Sequence, residues 1–118
     1  MSEPVLDAAV IDNLRQLTPP GEPDVLAEVL ELFLQEVPRR IAKLRAAWAA
    51  GDAAELHKAA HSLKGSAGNI GAQALYAVCC QLDDQVVAGD LADAKRLVDA
   101  LDGEYARVEV AIGRILKG

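Results

Sequence analysis

Aromatic residues are scarce in this sequence of 118, which has one Trp, one Phe and two Tyr. Strands draw on aromatic and β-branched side chains, so composition argues against an all-β domain. Cysteine is scarcer still, with Cys79 and Cys80 adjacent in the chain. Sequence neighbours poorly match the Cα separation of an ordinary disulfide, which leaves no disulfide framework and points to a reducing cytoplasm. No run approaches the about 18 uninterrupted apolar residues of a membrane span. The N-terminal stretch carries Asp7, Asp12, Arg15 and Glu22 where a secretion signal needs an apolar centre. Basic residues are also in deficit, 12 against 18 acidic, for a net charge of −6. Binding to phosphate backbones relies on clustered Lys and Arg, so neither nucleic acid nor a membrane is expected as partner.

What the chain has in abundance is helix-forming filler, 22 Ala and 16 Leu. Both lose little side-chain freedom in a helix. The length suits one domain over residues 1–118, able to bury roughly two-thirds of its unfolded surface without covalent staples.

Leu6, Val10, Leu14 and Leu17 repeat at helical spacing, and Thr18-Pro19-Pro20-Gly21 ends the run. Pro23 fits the first position of a second helix, whose stripe is Leu26, Leu30, Phe33, Val37, Ile41, Leu44 and Trp48, with Pro38 expected to bend it. Gly51-Asp52 and Gly89-Asp90 each pair a left-handed helix terminator with a cap for the next helix. Between them, Leu56, Ala60, Leu63, Ala67 and Ile70 mark a third helix, and Leu75, Cys79, Leu82 and Val86 a fourth. From Asp90, residues Ala94, Leu97, Leu101, Tyr105, Val108, Ile112 and Ile115 carry a fifth. Four amphipathic helices of roughly 18 to 28 residues with short connections predict an all-α, antiparallel up-down-up-down bundle with an additional short N-terminal helix.

Packing does not account for the third helix's other face. His61 lies about 160° around the helix from Leu63, so it is turned away from the buried stripe together with His57, Lys58, Lys64, Gly65 and Gly68. Each helix-interior glycine costs about 1 kcal/mol relative to Ala, in a chain that uses Ala freely. The missing methyls at Gly65 and Gly68 clear a path along the helix beside His61 for another macromolecule, although Gly68 and Gly71 equally fit a plain helix end. Lys58 and Lys64 stand three residues either side of His61, within reach of a dianion carried on the ring. Positive charge nearby favours the neutral form of an imidazole, which has the free lone pair a nucleophile needs.

The run His61-Ser62-Leu63-Lys64-Gly65-Ser66-Ala67-Gly68-Asn69-Ile70-Gly71 resembles the signature of histidine-containing phosphotransfer (HPt) domains of two-component phosphorelays. The long proline-containing second helix and the two Gly-Asp turns are similar to that family in order and spacing. The resemblance implies that His61 accepts a phosphoryl group from a receiver-domain aspartate and passes it to another. Lys64 would neutralise phosphoryl charge, and Gly65 would leave room for the receiver. It further implies a monomeric carrier without kinase activity or cofactor of its own, with Mg²⁺ on the partner receiver of a hybrid histidine kinase or response regulator. Several family members place a glutamine on the following helix near the active histidine; the matching position here is Asp83, bracketed by Gln81 and Gln85. Either glutamine, with His57, is a candidate for supporting the site.

Rival chemistry fits less well. His57 and His61 have the i, i+4 spacing of metal ligands, but Lys58 stands where a zinc protease has Glu, and the same helix face has no carboxylate, so no metal site is expected. The glycines from 65 to 71 follow no strand and lack the Gly-Lys-Ser/Thr of a phosphate-binding loop. A non-phosphorylated scaffold or interaction module of the same fold is the alternative, and it has no use for Lys64 and Gly65 beside His61.

Overall fold

The apolar stripes read from the sequence close over one another. In the computed structural model, which describes residues 5–118, five helices follow in order: α1 (Ala8–Gln16), α2 (Val25–Ala49), α3 (Ala53–Asn69), α4 (Gln73–Ala88) and α5 (Ala94–Lys117). Leu30, Val37 and Leu44 of α2, Leu56, Ala60, Leu63 and Ala67 of α3, Leu75, Cys79 and Leu82 of α4, and Leu101 and Ile112 of α5 are fully enclosed. Helix α3 packs between α2 and α4, and α5 closes the ring by touching the same two. This is the antiparallel four-helix bundle expected, although α3 and α4, at 17 and 16 residues, are shorter than the stripes suggest.

Helix α2 runs unbroken through Pro38. Proline supplies no N–H, so the carbonyl four residues earlier loses its usual donor. That carbonyl belongs to Leu34, and the Tyr105 hydroxyl of α5 donates to it at 3.4 Å. The Tyr105 ring stacks against Phe33 with centroids 6.3 Å apart. The tolerance of Pro38 thus has a tertiary cause.

Three boundaries differ from the sequence expectation. Pro23 does not open α2. Instead, Asp24 caps it by accepting the Leu26 N–H, while the Thr18 hydroxyl accepts that of Val25 at 2.8 Å. Leu17 caps α1 and is 62% exposed, and Ile11 is the α1 side chain buried in its place. Helix α5 starts at Ala94 rather than near Asp90. The Trp48 indole N–H donates to the Leu91 carbonyl at 2.7 Å, and the Lys95 N–H bonds Ala92 instead, so a turn over 91–93 precedes the helix. Asp90 still serves that turn by accepting the Asp93 N–H.

The turn before α3 forms as read, with left-handed Gly51 (φ +68°) and Asp52 accepting the Glu55 N–H at 3.1 Å. After α3, Gly71 at φ +70° meets the segment entering α1. Asp7 N–H donates to the Gly71 carbonyl at 2.8 Å, Gln73 donates to the Asp7 carboxylate, and a Cβ on Gly71 would stand 2.7 Å from that of Asp7. These contacts seat α1 over the end of the bundle where α3 turns into α4. Flanked by α2 and α4 and with the core behind it, α3 presents its remaining face outward.

Candidate functional site

Helix α3 directs Leu56, Ala60, Leu63 and Ala67 inward, so the residues between them form the outer strip. His57, Lys58, His61, Gly65 and Gly68 are all exposed, and Lys64 is half-buried. Sequence periodicity alone placed these six together, and the structure brings them together on one face. The His57 and His61 rings stack with centroids 6.3 Å apart. His61 itself makes no hydrogen bond among the described residues, so its ring nitrogens face incoming groups without a competing partner.

The glycines behave differently from each other. A methyl added at Gly65 would meet nothing within 4 Å. No neighbour within the chain requires glycine there, and the helix bears its propensity cost without a packing reason. A methyl at Gly68 would touch the Tyr76 ring at 3.6 Å, an ordinary contact. Open space therefore extends from His61 one turn along α3 and reaches Tyr76 of α4.

The two lysines also diverge. Lys58, 74% exposed, reaches back toward the start of α3, with its ammonium 3.5 Å from Glu55. Lys64 leans toward α4, and its ammonium lies 5.7 Å from the centre of the Tyr76 ring. A cation held over an aromatic face is weakly attracted and loses some freedom, which limits where the Lys64 charge is found. Behind this face, burial among apolar side chains pushes the Cys79 thiol up to about 12, with Cys80 adding to the rise and Lys64 opposing it. Cys79 is thus core filling, not a nucleophile. Among the described residues no three His, Cys, Asp or Glu side chains converge to hold a metal ion.

The family described as Hpt domain matches residues 28–111, from within α2 to near the end of α5. The chain belongs to that family. The Hpt domain's backbone is similar to the crystal structure of histidine-containing phosphotransfer protein B from Pseudomonas aeruginosa PAO1, with TM-score 0.87 and 32% identity over 96% of this chain and 95% of that one. It shares its fold with ZmHP2 from maize, at TM-score 0.83 and 22% identity over 96% and 88% of the two chains. Histidine-containing phosphotransfer protein 2 of Arabidopsis thaliana is 28% identical over 103 residues, 85% of this chain; the match spans 66% of that relative's length.

Within this Hpt domain Asp83 of α4 meets His57 of α3. Its carboxylate is hydrogen-bonded to Nδ1 of His57, not to His61. Gln81 and Gln85, expected as alternatives, make no hydrogen bond to either ring among the described residues. Two positions along a helix rotate a side chain by about 200°, so if Asp83 faces α3 both glutamines face away from it. Tyr76 was missed in the sequence. Its only signal was being one of four aromatics at a position outside the buried stripe of α4.

Among the basic residues of α2, Arg40 bonds Glu36 at 2.8 Å and the Ser66 hydroxyl of α3, and Arg45 pairs with Asp102 at 2.5 Å. Those two cations therefore tie helices together. No helix of the described residues is long and apolar enough to cross a membrane.

Proposed function

We propose that this Hpt domain is a phosphorelay intermediate that takes a phosphoryl group onto His61 from a receiver-domain aspartate and returns it to the aspartate of another receiver. The observation that carries this reading is the open space at Gly65, one turn from an exposed and unbonded His61 and next to Lys64. Helix energetics alone would put alanine there.

A lone pair on the neutral His61 imidazole attacks phosphorus of the aspartyl phosphate. The new N–P bond forms as the P–O bond to the aspartate breaks, and the carboxylate leaves with that bond's electron pair. The ring carries a positive charge until its other nitrogen gives up its proton to solvent. Phosphoryl transfer depends chiefly on positioning and charge stabilisation. In this reading the receiver brings its acidic pocket and Mg²⁺, and this chain contributes the nucleophile, the clearance at Gly65 and the charge of Lys64. Lys58 and Gly68 lie on the surface the receiver would cover. The chain acts as a monomeric carrier in the cytoplasm and makes no phosphoryl groups itself.

The test is incubation with a phosphorylated receiver. The expected product carries an acid-labile, alkali-stable phosphoryl group, and His61→Ala carries none. Uptake by His61→Ala at an unchanged rate overturns the assignment.

A further inference from the structure

The bond between His57 and Asp83 is not used by the relay just described. Asp83 sits on α4 with its side chain only 23% exposed, and His57 is the partner that its carboxylate finds. An ionised carboxylate only accepts, so Nδ1 of His57 carries the hydrogen of this bond. That leaves Nε2 of His57 as the nitrogen available for a further partner, in a ring stacked on His61. An imidazole held by a carboxylate at one nitrogen is fixed in orientation.

Lys64 stands about one turn after His61 on α3, and His57 stands one turn before it. On α3, Lys58 is engaged with Glu55 and Lys64 with the Tyr76 ring. On α4, Asp84 and Cys80 flank Asp83 in the helix and bring no positive charge. Arg40 and Lys43 of α2 border the opposite side of α3, beside Lys58 and Ser62. A dianionic group on His61 would thus have the His57 ring beside it, with its centroid 6.3 Å from that of His61.

The geometry points to a positioning pair in which Asp83 orients His57 so that its imidazolium stabilises the phosphoryl group on His61. This rests on the relay reading above and deepens it. The Nε2–H of the His57 imidazolium donates to a phosphoryl oxygen, and no further reactant is involved. Asp83 acts through His57 and does not itself approach the phosphoryl group, since two anions would repel. A carboxylate is compatible with this face because an imidazole stands between it and His61.

The experiment is to measure how phosphoryl groups partition at equilibrium between a receiver and this protein, for the wild type, His57→Gln, Asp83→Asn, the double variant and His57→Lys. Losing one partly exposed charge interaction is expected to move the partition back toward the receiver by about five-fold in each single variant. The double variant should move no further than either single one, because the pair acts as a unit. His57→Lys, which keeps the cation without the ring, should restore most of the wild-type partition. A merely structural link between α3 and α4 would lower the unfolding midpoints of the variants in step with the partition, so the midpoints of all variants are measured alongside it. An unchanged partition in both single variants, with wild type still labelled on His61, overturns the pair and leaves the relay standing. A shift that His57→Lys does not reverse also overturns it. Failure of the wild type to take label overturns the relay reading, and this inference with it.

Discussion

The Tyr105 hydroxyl of α5 donates to the carbonyl of Leu34, the acceptor that Pro38 leaves without a helical donor. A proline in the middle of the longest helix is thus answered from a helix that meets it only in the folded state. Burial raises the Tyr105 hydroxyl above its usual range, with Glu109 adding to the effect, so the group keeps the proton it donates.

Tyr105→Phe is therefore expected to cost about 1 kcal/mol in a denaturant titration. In a Pro38→Ala background residue 38 regains its N–H, and the helix can supply the bond itself. The cost of Tyr105→Phe should then fall close to zero. Equal costs in the two backgrounds would show that the hydroxyl and the proline are unconnected.

Gly65 separates stability from transfer. A methyl there meets open space, so Gly65→Ala should raise stability by up to about 1 kcal/mol through helix propensity. Gly65→Gln should also leave the fold intact while slowing phosphoryl uptake from a receiver by at least about ten-fold, the equivalent of 1.4 kcal/mol in the transition state. A Gln variant with wild-type uptake would remove the clearance argument.

Cys79 makes stability fall in alkali. Its thiol is pushed from 9.0 to about 12 by burial, with Cys80 contributing. Below the unfolded value both states hold the proton, and the contribution is fully present. As pH rises through the window from 9.0 to about 12, the unfolded chain gives up its proton while the native one keeps it, and stability is lost. The unfolding midpoint should decline over this window, and Cys79→Ala should flatten that part of the curve whatever it does to stability at neutral pH. A parallel decline in the variant would assign the effect to other groups.

The helices and the outward face of α3 were both legible in the sequence because each depends on one helix at a time. Apolar spacing fixes the inward side of α3, and His61, Lys64 and Gly65 follow as the outward side by rotation alone. What escaped reading depends on contacts between helices. The late start of α5 needs the Trp48 indole to meet the Leu91 carbonyl, and Tyr76 matters only because α4 lies beside Gly68. Asp83 stood out as a departure from the family's glutamine. Its partner, His57 instead of His61, required the register of α4 against α3.

The outward strip of α3 makes almost no demands on the interior beneath it. Positions such as Lys58 and Gly65 can be exchanged while Leu56, Leu63 and the rest of the enclosed set remain untouched. Substitutions that alter which receiver is accepted can therefore accumulate through a series of folded intermediates. The bundle is in that sense a mounting on which signalling connections can be rewired while the scaffold stays the same.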